Sequence, residues 1–438
     1  MKKKLIVCMM IICLVITGNT TVERMVVKAE EPERTITVCG TVRAVITPSI
    51  SKRTSSRVMN LEGQIVNIKF KGKNKFENKV STTTNEEGYY ATNLKIKGEG
   101  SIIVEVESNN NACIVRDSYS WDVEDKNAGA YKYVSEAYKV NLEQKKYLIN
   151  ISIKETKSLG AFIIARYIYG MFQHVKKELN YTPPKVIIQW SQGIKGEGSQ
   201  VKKFHEEYTG DDLEKIKGFI EIDGFAMDEY NESVICHEYA HWIYETMISK
   251  GKLPGGRHPI NGRAESLELA YSEGLASYMG QTFLKTPHYF ALHPNGKEGM
   301  DTDLENKNEK GYEISIDLEA SDMSGIIMSP LDIITLSQNE LYDQYELVIM
   351  RCLWDLDDIE NPKEPWDCIN NSEKDIFDIN RRLIKSMETQ VSNKNPDYKI
   401  NLRMFYEKYI GMYLNTTPLY NFISKNSVSS IDVSRPQQ

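Results

Sequence analysis

The chain has 438 residues, of which 41% are hydrophobic and 26% charged, and a formal net charge of −7. That length allows two or three packed domains, and the composition is that of an ordinary globular protein. The acidic balance gives no electrostatic reason to expect nucleic acid or an anionic membrane as a partner.

The first element is a targeting segment. Met1-Lys2-Lys3-Lys4 forms a positive n-region, Leu5 to Gly18 (LIVCMMIICLVITG) an apolar h-region, and Val27-Lys28-Ala29 a cleavage site with small residues. Residues 1–29 therefore read as a signal peptide with a mature start near Glu30. The long stretch between Gly18 and Ala29 keeps a retained N-terminal anchor open as an alternative. No later run approaches the roughly 18 apolar residues of a spanning helix. The expectation is a secreted, extracellular protein with no stable membrane insertion after cleavage. Five cysteines then remain: Cys39, Cys113, Cys236, Cys352 and Cys368. None forms a C-x-x-C pair, so neither a thiolate zinc site nor a redox motif is signalled. An odd count leaves at least one unpaired thiol, and Cys39–Cys113 and Cys352–Cys368 are the pairings open to the rest.

From Thr35 to about Val123 the segments TITVCGTVRAVI, GQIVNIKFKG, ENKVSTTT, GYYATNLKI and SIIVEVES show period-two or β-branched character between Gly-, Asn- and Lys-rich turns. The spacing predicts a small all-β sandwich over residues 30–125. Its order of features resembles the carboxypeptidase regulatory-like and related Ig-like domains, which implies an accessory role. DVEDKNAGAY (Asp122 to Tyr131) is a linker candidate. Residues 126–438 then form a second unit, and the class as a whole is α+β.

In that second unit, Ser158 to Leu179 has apolar residues at helical spacing and stops at Asn180-Tyr181-Thr182-Pro183-Pro184. KVIIQW (Lys185 to Trp190) and GFIEIDGF (Gly218 to Phe225) read as strands. ESVICHEYAHWIYETMISKG follows as a helix ending at Gly251, and Ala264 to Phe283 as another. Residues beyond about Ile359, including KDIFDINRRLIKSMETQ, are helical in pattern.

The stretch HEYAH carries the chemistry. On a helix, His237 and His241 lie one turn apart on one face and can present two imidazole nitrogens to a single cation. Glu238 is offset by about 100°, beside the cation rather than on it, where a carboxylate can take a proton from water. Three glutamates in the next helix, Glu265, Glu268 and Glu273, offer a third ligand. Glu273 is the choice because Gly274 and Ala276 beside it permit close approach of two helices, whereas Glu265 and Glu268 suit the helix start.

HEYAH followed some thirty residues later by SEGLASY resembles the Glu-zincin metallopeptidases, nearest to bacterial collagenase-type and related secreted peptidases. The likeness runs from about Leu159 to Asp358, where RCLWDLDD echoes segments of such proteins. It implies a zincin-like catalytic domain, Zn2+ held by His237, His241 and Glu273, Glu238 as general base, and protein or peptide as substrate. It also implies that GFIEIDGF is the edge strand along which an extended peptide binds. Asp355 is a candidate for orienting a zinc-bound histidine. Tyr271, Tyr278 and Tyr345 are candidate donors to the oxyanion, with packing as the default role. Two other classes stay open: an inactive zincin-like adhesion or binding protein, and a zinc amidase acting on cell-wall cross-links.

The remaining features carry less. Cys236 points to another face of its helix and reads as buried apolar filling. His174, His205, His258, His288 and His293 have no partner at ligand spacing and read as surface or packing residues. Gly299 to Glu313 lacks the glycine and the bidentate acid of a calcium loop, so it reads as solvated loop.

Overall fold

The computed structural model describes residues 32–47, 56–73, 76–117, 129–141, 143–154, 156–194, 198–203, 218–249, 254–256, 258, 263–293, 312–317, 344–357, 373–390, 400–405 and 408. The signal segment, Cys368, Gly251, His205 and residues 299–311 of the acidic loop lie outside them. The class is mixed α and β, with strands and helices both abundant. Among the described residues no helix is long and apolar enough to cross a membrane.

The N-terminal part is built on β1 (Glu33–Ile46), whose Thr, Val and Ile alternate between buried and exposed faces. It pairs antiparallel with β2 (Arg57–Asn60) and β5 (Tyr89–Lys97). A second sheet joins β4 (Glu77–Thr83), β3 (Ile65–Gly72) and β6 (Gly100–Glu107), all antiparallel. Buried Val38, Val42 and Leu94 of the first sheet and Ile68, Phe70 and Val104 of the second belong to one apolar cluster. Apart from β2, these strands are the ones expected from the alternating sequence.

The pairing does not respect a boundary at residue 125. β8 (Lys132–Val134) and β9 (Tyr138–Lys139) add to β6, while β10 (Lys146–Leu148) and β11 (Ile151–Ile153) run parallel to β1. Conversely, β7 (Cys113–Arg116) leaves the sandwich and pairs parallel with β12 (Val186–Gln189). The chain thus crosses between the two parts more than once. Cys39 and Cys113 end up in different sheets, each buried as a free thiol, which corrects the pairing expected of them; Cys236 is also free and buried, and Cys352 is buried. Side chains stitch the parts together: Arg57 of β2 donates to Tyr167 and, at 3.2 Å, to Glu232, and Asn110 Nδ2 donates to the Ala165 carbonyl at 3.1 Å.

The second sheet system has the order β13 (Gln200–Lys203), β14 (Gly218–Glu221), β12, β7. β14 is parallel to β12 and antiparallel to β13. GFIEIDGF is therefore an interior strand, which corrects its expected place at the edge. Among the described strands the two ends of this sheet are β7, which is bridged to Asn109 and Ala130, and β13, a short, lysine-bearing segment whose pattern carries no strand signal of its own.

Helix α1 (Thr156–Glu178) packs on β7 and ends with Asn180 in the left-handed conformation at φ 50, ahead of the two prolines. α2 (Glu232–Tyr244) carries HEYAH, lies against β13 and β14, and widens into one π turn over Glu245–Ser249. α3 (Leu267–Leu284) starts at Ser266, whose side chain accepts from the Leu269 N–H. It is sandwiched between α2 and α4 (Glu346–Asp357). Two glycines set those approaches. A Cβ at Gly280 would lie 3.3 Å from the Cys236 Cβ and the His237 nitrogen, on the α2 side. A Cβ at Gly274 would lie 2.6 Å from Ile349 Cβ, on the α4 side. Gly274 was expected to admit the histidine helix; it admits α4 instead, and Gly280 serves α2. The hairpin of β15 (His288–His293) and β16 (Tyr312–Asp317) lays β15 over α2 and α3, and α5 (Glu373–Gln390) follows α4.

Candidate metal centre

Helical periodicity puts His237 and His241 on the α3-facing side of α2, with ring centroids 4.6 Å apart and planes at 86°. Their Nε2 atoms are 3.1 Å from each other. Glu273 on α3 brings its Oε2 to 2.8 Å from His241 Nε2 and 3.1 Å from His237 Nε2. All three side chains are buried. Two imidazole nitrogens and a carboxylate oxygen packed this tightly are held either by protons shared among them, as N–H groups donating to Glu273, or by a cation that replaces those protons. Donors about 2.0–2.1 Å from a tetrahedral zinc are about 3.3 Å apart, so the cluster is slightly contracted relative to a loaded site. Donor types, number and convergence fit Zn2+.

Burial alone would raise the Glu273 carboxyl, but His241 and His258, with hydrogen bonds from both α2 histidines, hold it well below the usual carboxylate range. Glu238 stands beside the cluster, buried, and is not one of the converging donors. Burial pushes its carboxyl up to about 7, with Glu273 and Asp228 adding to the shift and His237 and His258 opposing it.

That shift has a consequence for the metal-free protein. A carboxyl whose folded pKa lies above its unfolded value of 4.5 takes up a proton on folding, so its contribution to stability falls as pH rises from about 4.5 through about 7. Glu238→Gln removes the burden. In urea melts of metal-free protein, the variant should match wild type near pH 5 and exceed it by on the order of 2–3 kcal/mol at pH 8. A gap of the same size at both pH values would show that the carboxyl is not raised.

Four residues that the sequence left aside join the site: His258, Ser277, Tyr289 and Glu346. His258, expected to be surface or packing, brings Nδ1 to 3.6 Å from both Glu273 Oε2 and Glu346 Oε2. Burial works against its charge, yet Glu273, Glu346 and Glu238 lift it to about 9. Ser277, one turn beyond Glu273, places its Oγ 2.8 Å from His237 Nδ1 and donates to Glu346 Oε1 at 2.8 Å. Tyr289 of β15 is buried among the carboxylates; burial first, then Glu346, Asp228, Glu238 and Glu273, raise its phenol well above the usual range and keep it a donor.

The other candidates fall elsewhere. Tyr271 donates to Asn380 Oδ1 at 3.0 Å, and Tyr278 lies beside Asp357 and Thr282. Tyr345 forms a β-bridge with Arg263 just ahead of α4. Glu268 accepts from Asn401 at 3.2 Å. Asp355 lies on α4, and its side chain is outside the described residues. His174 pairs with Glu373 at 2.6 Å, linking α1 to α5, as a packing residue would.

No protein-family model matches the chain, and no curated protein is significantly similar to it. Among solved structures it is similar to the major plantain pollen allergen Pla l 1, at 15% identity over 28% of this chain and 94% of the allergen, with a TM-score of 0.17. So slight a likeness bears on neither fold nor site.

Proposed function

We propose that the protein is a secreted, zinc-dependent metallopeptidase with a zincin-like catalytic domain. The observation that supports this reading is the convergence of His237 Nε2, His241 Nε2 and Glu273 Oε2 from two helices onto one point. These three residues would hold Zn2+, which supplies Lewis acidity that lowers the pKa of water and polarises a carbonyl.

The chain's own groups do the rest. Glu238, with a pKa near neutrality in the absence of a cation, takes a proton from the attacking water on its carboxylate and returns it to the leaving amine. His258 and Tyr289 face the same carboxylates from other elements and can donate to oxygen charge as it develops. Among the described strands β13 lies at one edge of its sheet, a place where an extended peptide can pair through main-chain groups without side-chain selectivity.

The test combines metal analysis with digestion of a diverse peptide pool. Expected are about one zinc per chain and cleavage that stops on chelation and returns with zinc. Zinc without peptide cleavage, but with release from muropeptides, would replace the peptidase by a cell-wall amidase. Zinc without either activity would favour a binding protein, and no zinc would overturn the reading.

A further inference from the structure

His237 and His241 are not held alike. His241 Nδ1 has no hydrogen-bond partner among the described residues. His237 Nδ1 meets Ser277 Oγ at 2.8 Å, and Ser277 Oγ meets Glu346 Oε1 at 2.8 Å. Ser277 is 0% and Glu346 3% exposed, so water does not compete for these bonds. The direction of the chain follows from the groups. Ser277 Oγ donates to the Glu346 carboxyl, so the hydroxyl spends its one proton there. Its lone pairs then face His237, whose Nδ1 must carry the hydrogen. That leaves Nε2, which faces Glu273 and His241, as the nitrogen whose lone pair opens to a cation once its proton to Glu273 is displaced.

We propose that Glu346 is a positioning residue for the metal centre, acting on His237 through Ser277. It sits on a third helix, α4, that supplies none of the three converging donors at His237, His241 and Glu273. The serine passes on orientation from the carboxylate, making His237 the better-defined of the two histidine ligands. The inference rests on the zinc reading and adds a long-range dependence to it: affinity for metal is set partly by how α4 docks on α3, where Gly274 lets Ile349 in.

The experiment is competition for zinc between a chromogenic chelator and full-length protein, for wild type, Ser277→Ala, Ser277→Thr and Glu346→Gln. Cobalt-loaded samples supply visible spectra, and the thermal midpoint of each metal-free variant reports folding. Expected are a roughly 10–100-fold loss of zinc affinity in Ser277→Ala, a smaller loss in Glu346→Gln, which keeps an acceptor but not the charge, and near-wild-type affinity in Ser277→Thr, which keeps the hydroxyl. The cobalt spectrum should change in Ser277→Ala while the metal-free midpoint stays close to wild type. Unchanged affinity and spectrum in both Ser277→Ala and Glu346→Gln would overturn the inference and leave the zinc reading standing. Equal losses in Ser277→Thr and Ser277→Ala would also overturn it, because packing rather than the hydroxyl would then be at work. Absence of zinc from wild type would instead bring down the reading beneath it.

Discussion

Glu238→Gln should lose at least about 10²-fold in kcat while retaining about one zinc per chain. The two halves of that result come from different features. Retention of zinc follows from position: Glu238 is next to His237 in sequence but about 100° around the helix, and it does not converge with the three donors. Loss of rate follows from basicity. A carboxylate accepts a proton from water efficiently only when its own pKa approaches the working pH, and burial with Glu273 and Asp228 nearby pushes Glu238 up to about 7. A divalent cation at the donors would draw that value down again. The ascending limb of kcat/KM against pH should therefore fall below 7 in the loaded enzyme and vanish in the variant. Glutamine has nearly the same shape, so packing around the site is conserved in the comparison. Loss of zinc from Glu238→Gln would make the residue a ligand, and undiminished turnover would remove it from the chemistry.

The parts of this site that the sequence revealed are those with local signals. His237 and His241 are one helical turn apart, and the helix is legible from its apolar spacing. Glu273 is marked by the small residues after it, although the reason differs from expectation: Gly274 clears space for α4, and Gly280, six residues on, clears it for α2. Glu346, Ser277, His258 and Tyr289 carry no such mark. Glu346 lies 69 residues beyond Ser277, and only the docking of α4 on α3 brings them together. His258 reads as a lone histidine until the fold sets it between two carboxylates. The edge strand was misplaced for a similar physical reason. GFIE has the apolar run of a strand because it is interior, while the edge strand QVKK has a single apolar residue, Val201, packed on the core and so carries no such run. The first sheets were legible because half-buried antiparallel strands alternate, but pairing partners were not. A period of two says which face a residue occupies, not that β7 will leave one sheet for another or that β10 and β11 will return to β1.

Glu273→Ala should deplete the protein of metal, and Glu268→Ala should not. The two glutamates are five residues apart on α3 and face different neighbours: Glu273 Oε2 meets His237 and His241, while Glu268 Oε1 accepts from Asn401. Removing Glu273 takes away the one charged donor of three. The cost should exceed the roughly 10–100-fold attached to an outer hydrogen-bond partner, because here the bond to the metal itself is lost. The substitution also changes the metal-free site. Glu273 Oε2 lies within 3.6 Å of three imidazoles, those of His237, His241 and His258. Without it the carboxylates left to them are Glu346, which reaches His258 directly and His237 through Ser277, and Glu238 beside His237 and His258. The variant is therefore expected to bind zinc poorly for two reasons, a missing ligand and greater repulsion between any remaining imidazolium and the incoming cation. Metal analysis after dialysis against a weak chelator separates the pair of variants. Depletion in Glu268→Ala with retention in Glu273→Ala would move the third ligand to the start of α3 and dissolve the site as drawn.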